Sequence, residues 1–340
     1  LIDDIVHFFE PYIYLIVGGV KAIIIAVALT AVVPGLVWLE RRLMGRFQVR
    51  LGPNRVGPFG LGQPISDSIK LLFKESIIQS SADKFLFHLA PAIVVFTAIL
   101  SFAVIPITQP FEIFGQTIGP WIANIDSGIL FIFAISGMGI YGKVIAGLSS
   151  NSKYSLMGGL RSSAQMISYE LTLGIAALSI IVMTGSLNLV DMVKSQEAVP
   201  FILVQPLAFL LFFIAGVAET NRAPFDLPEA EQELVAGFHT EYTGMKFAMF
   251  FMGEYINMVT MSSLVTLLFL GGWNTYILPQ NALTGFLAFA FKVLFLLCFF
   301  IWLRSTFPRI RYDRLMTFGW KFLLPIAIFN LLLTSALKVL

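Results

Sequence analysis

Eight stretches of roughly 20 apolar residues run through this chain, and that is the length a helix needs to cross a hydrocarbon core of about 30 Å. They fall at about 12–39, 88–108, 128–148, 161–184, 201–219, 245–270, 284–304 and 321–340. No alternating apolar pattern bounded by turn residues competes with them. The expected fold is an all-α membrane protein with eight transmembrane helices, one transmembrane domain over residues 1–340. Charge supports this: 12% of residues are charged, against about 25% in soluble domains. The first stretch lacks a basic leader and runs longer than a signal-peptide core, so it is expected to be retained as a span.

Lysine and arginine sort between alternate loops. Eight lie from Arg41 to Lys84 and four from Arg304 to Arg314, whereas 109–127 and 271–283 have none. The positive-inside rule puts the basic loops on the cytoplasmic side, or its mitochondrial equivalent. Both termini are then expected on the periplasmic or intermembrane side of a bacterial plasma membrane or mitochondrial inner membrane.

Residues 40–60, ERRLMGRFQVRLGPNRVGPFG, carry five arginines and four glycines. A topology anchor needs only charge, but Gly52, Pro53, Gly57, Pro58, Gly60, Gly62 and Pro64 also impose a turn-rich path. Beyond them Ile65, Ile69, Leu72 and Phe73 recur at helical spacing, with Asp67, Lys70 and Lys74 off the stripe. The basic loop 40–87 is therefore expected to contain a short amphipathic helix at the interface. Its basic residues abut spans and lack an independent fold, so phospholipid head groups are the expected partner and nucleic acid is not.

Ionisable groups inside spans are functional candidates by default. Glu170 lies about nine residues into the fourth span, roughly 13 Å deep, and Glu254 reaches a similar level in the sixth. The fifth span returns to the same face and delivers the acidic loop 219–244. Between Glu219 and Glu254 seven carboxylates (Glu219, Asp226, Glu229, Glu231, Glu233, Glu241 and Glu254) stand against only Arg222 and Lys246. Glu229 and Glu233 are expected to share a helix face, with Glu231 pointing elsewhere. Such a cluster, if buried, shares protons, and a chain of acids from this loop to Glu254 and Glu170 is a proton path in chemical terms. Lys143 and Lys153 are candidate counter-charges. The alternative is a solvated acidic face, with Glu170 merely bonded to a neighbouring helix.

Other signals exclude chemistry. Cys298 is the single cysteine, which leaves no internal disulfide, no Cys-ligated iron–sulfur cluster and no CxxC pair. His7, His88 and His239 are scattered near expected helix ends, which suits no haem. GMGIYG, residues 137–142, matches G-x-G-x-x-G but lies in an apolar span, where close packing through small residues is the expected role. There is no phosphate-binding G-x-x-x-x-G-K-[ST] loop.

Four blocks, ERRLMGRFQVRLGPNRVGPFGLGQPISDSIKLLFKE, SNSKYSLMGGLRSSAQMISYE, ETNRAPFDLPEAEQELVAGFHTEY and WLRSTFPRIRYD, closely resemble the quinone-site membrane subunits of respiratory complex I, NADH:quinone oxidoreductase. These are called H in bacteria and subunit 1 in mitochondria, and the likeness spans nearly the whole chain. The resemblance implies a subunit of a proton-translocating enzyme, with no complete active site in this chain alone. It implies quinone (ubiquinone or menaquinone) as bound substrate, with no metal, flavin or haem held here. The implied partners are peripheral-arm subunits with flavin and iron–sulfur clusters, small membrane subunits and antiporter-like subunits. Carried over residue by residue, Glu40, Arg41, Arg46, Asp67, Arg222, Phe225 and Arg304 form the quinone-binding set. Glu170, Glu219, Asp226, Glu229, Glu231, Glu233 and Glu254 form the proton-route set, with Lys153 and Arg161 as partners. A homologous subunit of a ferredoxin- or hydrogenase-linked ion pump is the nearest alternative. An independent secondary transporter is more remote, because no inverted repeat is visible.

Overall fold

The structure, a computed structural model, describes residues 2–113, 116–228, 231–276 and 279–339. Glu229 lies outside the described residues, and only the backbone of Glu231 is described. Among the described residues the regular secondary structure is helical apart from two three-residue strands, β1 (Phe111–Ile113) and β2 (Gln116–Ile118). These pair antiparallel with Phe111 opposite Ile118.

Among the described residues six helical stretches are long and apolar enough to cross a membrane: Ile16–Phe47, Lys84–Val104, Gly128–Ser149, Lys153–Thr184, Ala282–Thr306 and Tyr312–Lys338. They correspond to six of the eight expected spans, with shifted ends. The first belongs to α1 (Ile2–Phe47), which continues past the expected boundary. No proline interrupts ERRLMGRF and a lone glycine is tolerated, so Glu40, Arg41 and Arg46 are on a helix and not in a loop. The amphipathic segment is α2 (Gln63–Phe73), opened by Pro64 in its first turn, and Ile65, Ile69 and Phe73 are exposed along it. Next come α3 (Lys84–Ser101), α4 (Gly128–Ser149), α5 (Lys153–Thr184) and a short α6 (Leu189–Lys194).

The expected span at 201–219 is not one helix. It is split into α7 (Phe201–Val204) and α8 (Pro206–Glu219), because Pro206 removes a donor and drives Gln205 to φ −129°, ψ 59°. Gln205 puts the break to use: its amide donates to Thr334 at 2.9 Å and accepts from Asn330 at 3.3 Å. After α9 (Glu231–Leu234) comes α10 (Gly244–Phe269), which carries Lys246 and Glu254 and lies outside the six. Helix α11 (Ala282–Thr306) follows. Then α12 (Tyr312–Phe318) runs through a five-residue π-turn into α13 (Leu324–Val339).

Helix α10 is the centre of the molecule. Nearly every residue from Gly253 to Phe269 is buried, and the hydroxyls of Thr260, Ser262, Ser263 and Thr266 donate to carbonyls four residues back. Surrounded by protein, it does not need an apolar circumference. Small residues let its neighbours approach: a Cβ on Gly253, or on Gly142 of α4, would lie 2.5 Å from a methyl of Val94 on α3. GMGIYG is thus a packing motif. At the far end of α10, the Lys292 ammonium of α11 donates to the carbonyls of Leu270, Gly272 and Asn274 at 2.8–2.9 Å. All three of its protons are used, which is how a cation is tolerated on an otherwise apolar helix.

Gly142→Val should drive α3 and α4 apart and lower stability by about 1–3 kcal/mol. Thermal unfolding in detergent checks this against Gly174→Ala, where a Cβ meets open space and the melting temperature should not fall.

Candidate functional site

The chain folds back over its basic loop because Arg42 donates to the carbonyl of Phe59 at 2.7 Å, while Trp38 donates to the same oxygen at 3.1 Å. Gly60, at φ 74°, allows the turn to close, since a Cβ there would lie 2.4 Å from the Pro53 carbonyl oxygen. This holds α2 beside α1, where Arg41 pairs with Asp67 at 2.5 Å and Gln63 donates to the other Asp67 oxygen at 3.2 Å. Between α1, α2, α10 and the end of α11 lies a cavity of about 500 Å³. Its wall is largely apolar, with Val33, Val37, Leu71 and Phe251 among the lining. Glu40, Arg41, Asp67, Tyr255 and Arg304 supply polar groups. A mostly apolar chamber with a few convergent polar side chains is the general form of an organic-ligand site.

Glu40 organises the inner side of this chamber. It is 3% exposed, accepts a hydrogen bond from Arg304 on one oxygen, and takes the Tyr255 hydroxyl at 2.6 Å on the other. Arg222 approaches the first oxygen at 3.6 Å and lies 4.3 Å above the Tyr255 ring. Arg222 is held there because the Gln165 amide of α5 donates to the carbonyls of Ala218 and Phe225, both at 2.7 Å, fixing the chain where α8 ends. Two guanidiniums on one carboxylate leave a local excess of positive charge. Asp226 stands within the field of Arg304, Arg309 and Arg222 as well as Glu254. Burial, reinforced by the charge of Glu254, pushes Asp226 up to about 6 although those arginines pull the other way.

Deeper between the helices is a second group. Glu254 is buried 4.0 Å from the ammonium of Lys143, itself 2% exposed and 5.9 Å from the Phe238 ring. Ser136 donates to Glu219, whose other oxygen is buried without a hydrogen-bond partner. A void of about 10 Å³ beside it is lined by Asn257 and Thr260 as well, roughly the space of one water. Glu170 approaches the backbone of α4 at Gly137, where a Cβ would lie 3.1 Å from its carboxylate.

The structure therefore divides the expected residues differently from the sequence. Glu40, Arg41, Asp67 and Arg304 line the cavity together, and Arg222 touches Glu40 without lining it. Arg46 is exposed on the last turn of α1, away from the cavity lining. Phe225 is buried against Tyr169, with ring centres 5.9 Å apart, and does not line the cavity either. Glu219, Glu254 and Glu170 stand in the helix interior, while Glu233 is exposed and paired with Arg161 at 2.5 Å. Lys153 is exposed at the start of α5. Tyr255 and Gln165 were not legible as site residues. A hydroxyl beside an acid in an apolar stretch was the available signal for the first; none existed for the second.

Residues 20–335 match the profile of the family described as NADH dehydrogenase. The chain is 49% identical over 316 residues to the NADH-quinone oxidoreductase subunit named H 2 in Syntrophobacter fumaroxidans, covering 93% of this chain and 94% of that one. It is 50% identical over 319 residues to the subunit named H 2 in Geobacter sulfurreducens (94% and 95% covered). It is also 50% identical over 318 residues to NADH-quinone oxidoreductase subunit 8 of Thermus thermophilus (93% and 86% covered). The chain belongs to the NADH dehydrogenase family.

A carboxyl raised by burial favours the folded state only while it carries its proton. The contribution of Asp226 is present below the ordinary value near 4 and is lost as pH rises through about 6. Asp226→Asn should match the unsubstituted protein near pH 4 and exceed its stability by about 2 kcal/mol at pH 8. Unfolding curves at the two pH values measure it.

Proposed function

We propose that this chain, as a member of that family, is a membrane subunit of an NADH-quinone oxidoreductase, that its cavity admits quinone, and that its carboxylates couple quinone reduction to proton translocation. The observation that carries this reading is the double position of Glu40. It forms part of the cavity wall and also binds Arg222, whose neighbour Asp226 lies in the field of Glu254.

In this reading eight segments cross the membrane, with α10 and the broken 201–219 segment added to the six apolar helices. The ends bearing the 48–62, 220–243 and 307–311 loops face the cytoplasm or its mitochondrial equivalent, and both termini face away. Helix α2 lies in the interface with Ile65, Ile69 and Phe73 toward lipid. Quinone enters past α2 and places its head toward Asp67, Arg304 and Tyr255, while its isoprenoid tail stays along the apolar wall. Partner subunits with flavin and iron–sulfur clusters deliver two electrons, and the reduced head takes two protons to become quinol.

One uncompensated charge in the chamber, felt at about 8 Å through an effective dielectric of about 20, is worth about 2 kcal/mol. That is more than a tenfold change in the protonation of a group titrating near 6, the position of Asp226. Asp226 therefore answers a charge change at the quinone by taking or releasing a proton. The pairs Glu254–Lys143 and Glu219–Ser136 carry the displacement toward Glu170 and the antiporter-like partners. Water beside Glu219 completes contacts that side chains alone leave open.

Glu254→Gln or Glu170→Gln should leave uncoupled quinone reduction largely intact while lowering the protons moved per quinone reduced; full stoichiometry in sealed vesicles contradicts the route. Arg304→Ala should raise the KM for quinone about tenfold, the worth of one charge-assisted contact. For topology, Cys298→Ser provides a cysteine-free background, and a cysteine at Val56 should react with an impermeant maleimide only from the cytoplasmic side.

A further inference from the structure

Four of the chain's twelve methionines, Met44, Met245, Met249 and Met252, line the cavity. Three of them stand at i, i+4 and i+7 along α10, so they form one stripe, and Met44 comes from the last turns of α1. Met245 is 48% exposed. Leucine would fill the same apolar wall, but a thioether differs in having a nucleophilic sulfur. The setting favours attack on peroxide, because Arg41 and Arg304 line the same chamber and their guanidinium N–H groups can donate hydrogen bonds to a departing oxygen. Met138 and Met157 are each 53% exposed but lie outside the cavity, away from those donors.

We propose that this methionine cluster is a reversible oxidation site through which hydrogen peroxide weakens binding of the cavity's apolar occupant. The sulfur lone pair attacks one peroxide oxygen and the O–O bond breaks. The departing oxygen takes up the proton left on the oxygen now bound to sulfur. The products are methionine sulfoxide and water; the sulfur loses two electrons and the peroxide gains two. Each sulfoxide places a strong acceptor in a wall that was apolar, and an apolar ligand seated against it strips that acceptor of water without replacing its hydrogen bonds. Enzymatic reduction of the sulfoxide restores the original lining.

The kinetic part rests on the quinone reading given above; the site of modification does not. The assembled complex in native membranes is treated with hydrogen peroxide and its peptides are mapped by mass spectrometry. Oxygen addition at Met44, Met245, Met249 and Met252 should exceed that at Met138 and Met157. The apparent affinity for a short-tail quinone should fall about tenfold and recover with methionine sulfoxide reductases. A variant with all four methionines replaced by leucine, compared with its own untreated rate, should lose this sensitivity. Preferential oxidation at Met138 and Met157 overturns the proposal, as does a leucine variant inactivated as much as the unsubstituted protein. Should that variant fail to assemble, the peptide map of the unsubstituted complex decides alone. A cavity that takes no quinone would show itself separately, as an Arg304→Ala complex with unchanged KM beside an intact sulfoxide pattern.

Discussion

A single buried carboxylate with two cations and a phenol around it, Glu40, holds the working end of this molecule together. Through it α1 is tied to α11 by Arg304, to α10 by Tyr255 and to the loop after α8 by Arg222. None of these elements is adjacent to α1 in sequence, and lipid gives helices no hydrophobic reason to associate, so polar contacts and close packing must supply the specificity. Removing the carboxylate would leave two guanidiniums facing one another, which makes the interaction much more expensive to break than its net worth when made.

The same logic explains why α10 differs from its neighbours. The outward helices are apolar where they are exposed, as Ile16, Ile23, Ile24 and Val27 on α1 show. Helix α10 faces other helices, so serine, threonine and glycine occupy it, with hydroxyls satisfied along its own backbone. Hydropathy measures fitness for lipid and says little about fitness for a protein interior. This is why the most central helix falls outside the six that are long and apolar enough to cross a membrane.

Hydropathy and the charge pattern revealed the all-helical class, most of the apolar helices and the acids within them, because both are consequences of the solvent around each segment. Which acids share a chamber was not legible. Glu40 and Arg46 sit less than two turns apart on α1, yet only Glu40 points inward, a matter of helix phase that composition does not carry. Phe225 carries the same family signature as Arg222 but packs on Tyr169, because Gln165 fixes the loop by its carbonyls and aims Arg222 toward Glu40. The break at Gln205 and Pro206 was written plainly as a proline, and the 201–219 stretch was nevertheless expected whole, since apolar length outweighed the local signal.

The ammonium of Lys292, seated on three carbonyls where α10 ends, fixes that tip against α11. A rod secured at one extremity can only swing about it, so displacement grows with distance from the fulcrum. Glu254 is 16 residues from Leu270, about 24 Å along the axis, and a swing of about 2° there amounts to roughly 1 Å. Leverage is thus smallest where the chain is anchored, already appreciable at the carboxylate and the phenol beside it, and greatest at the Gly244 end of the helix.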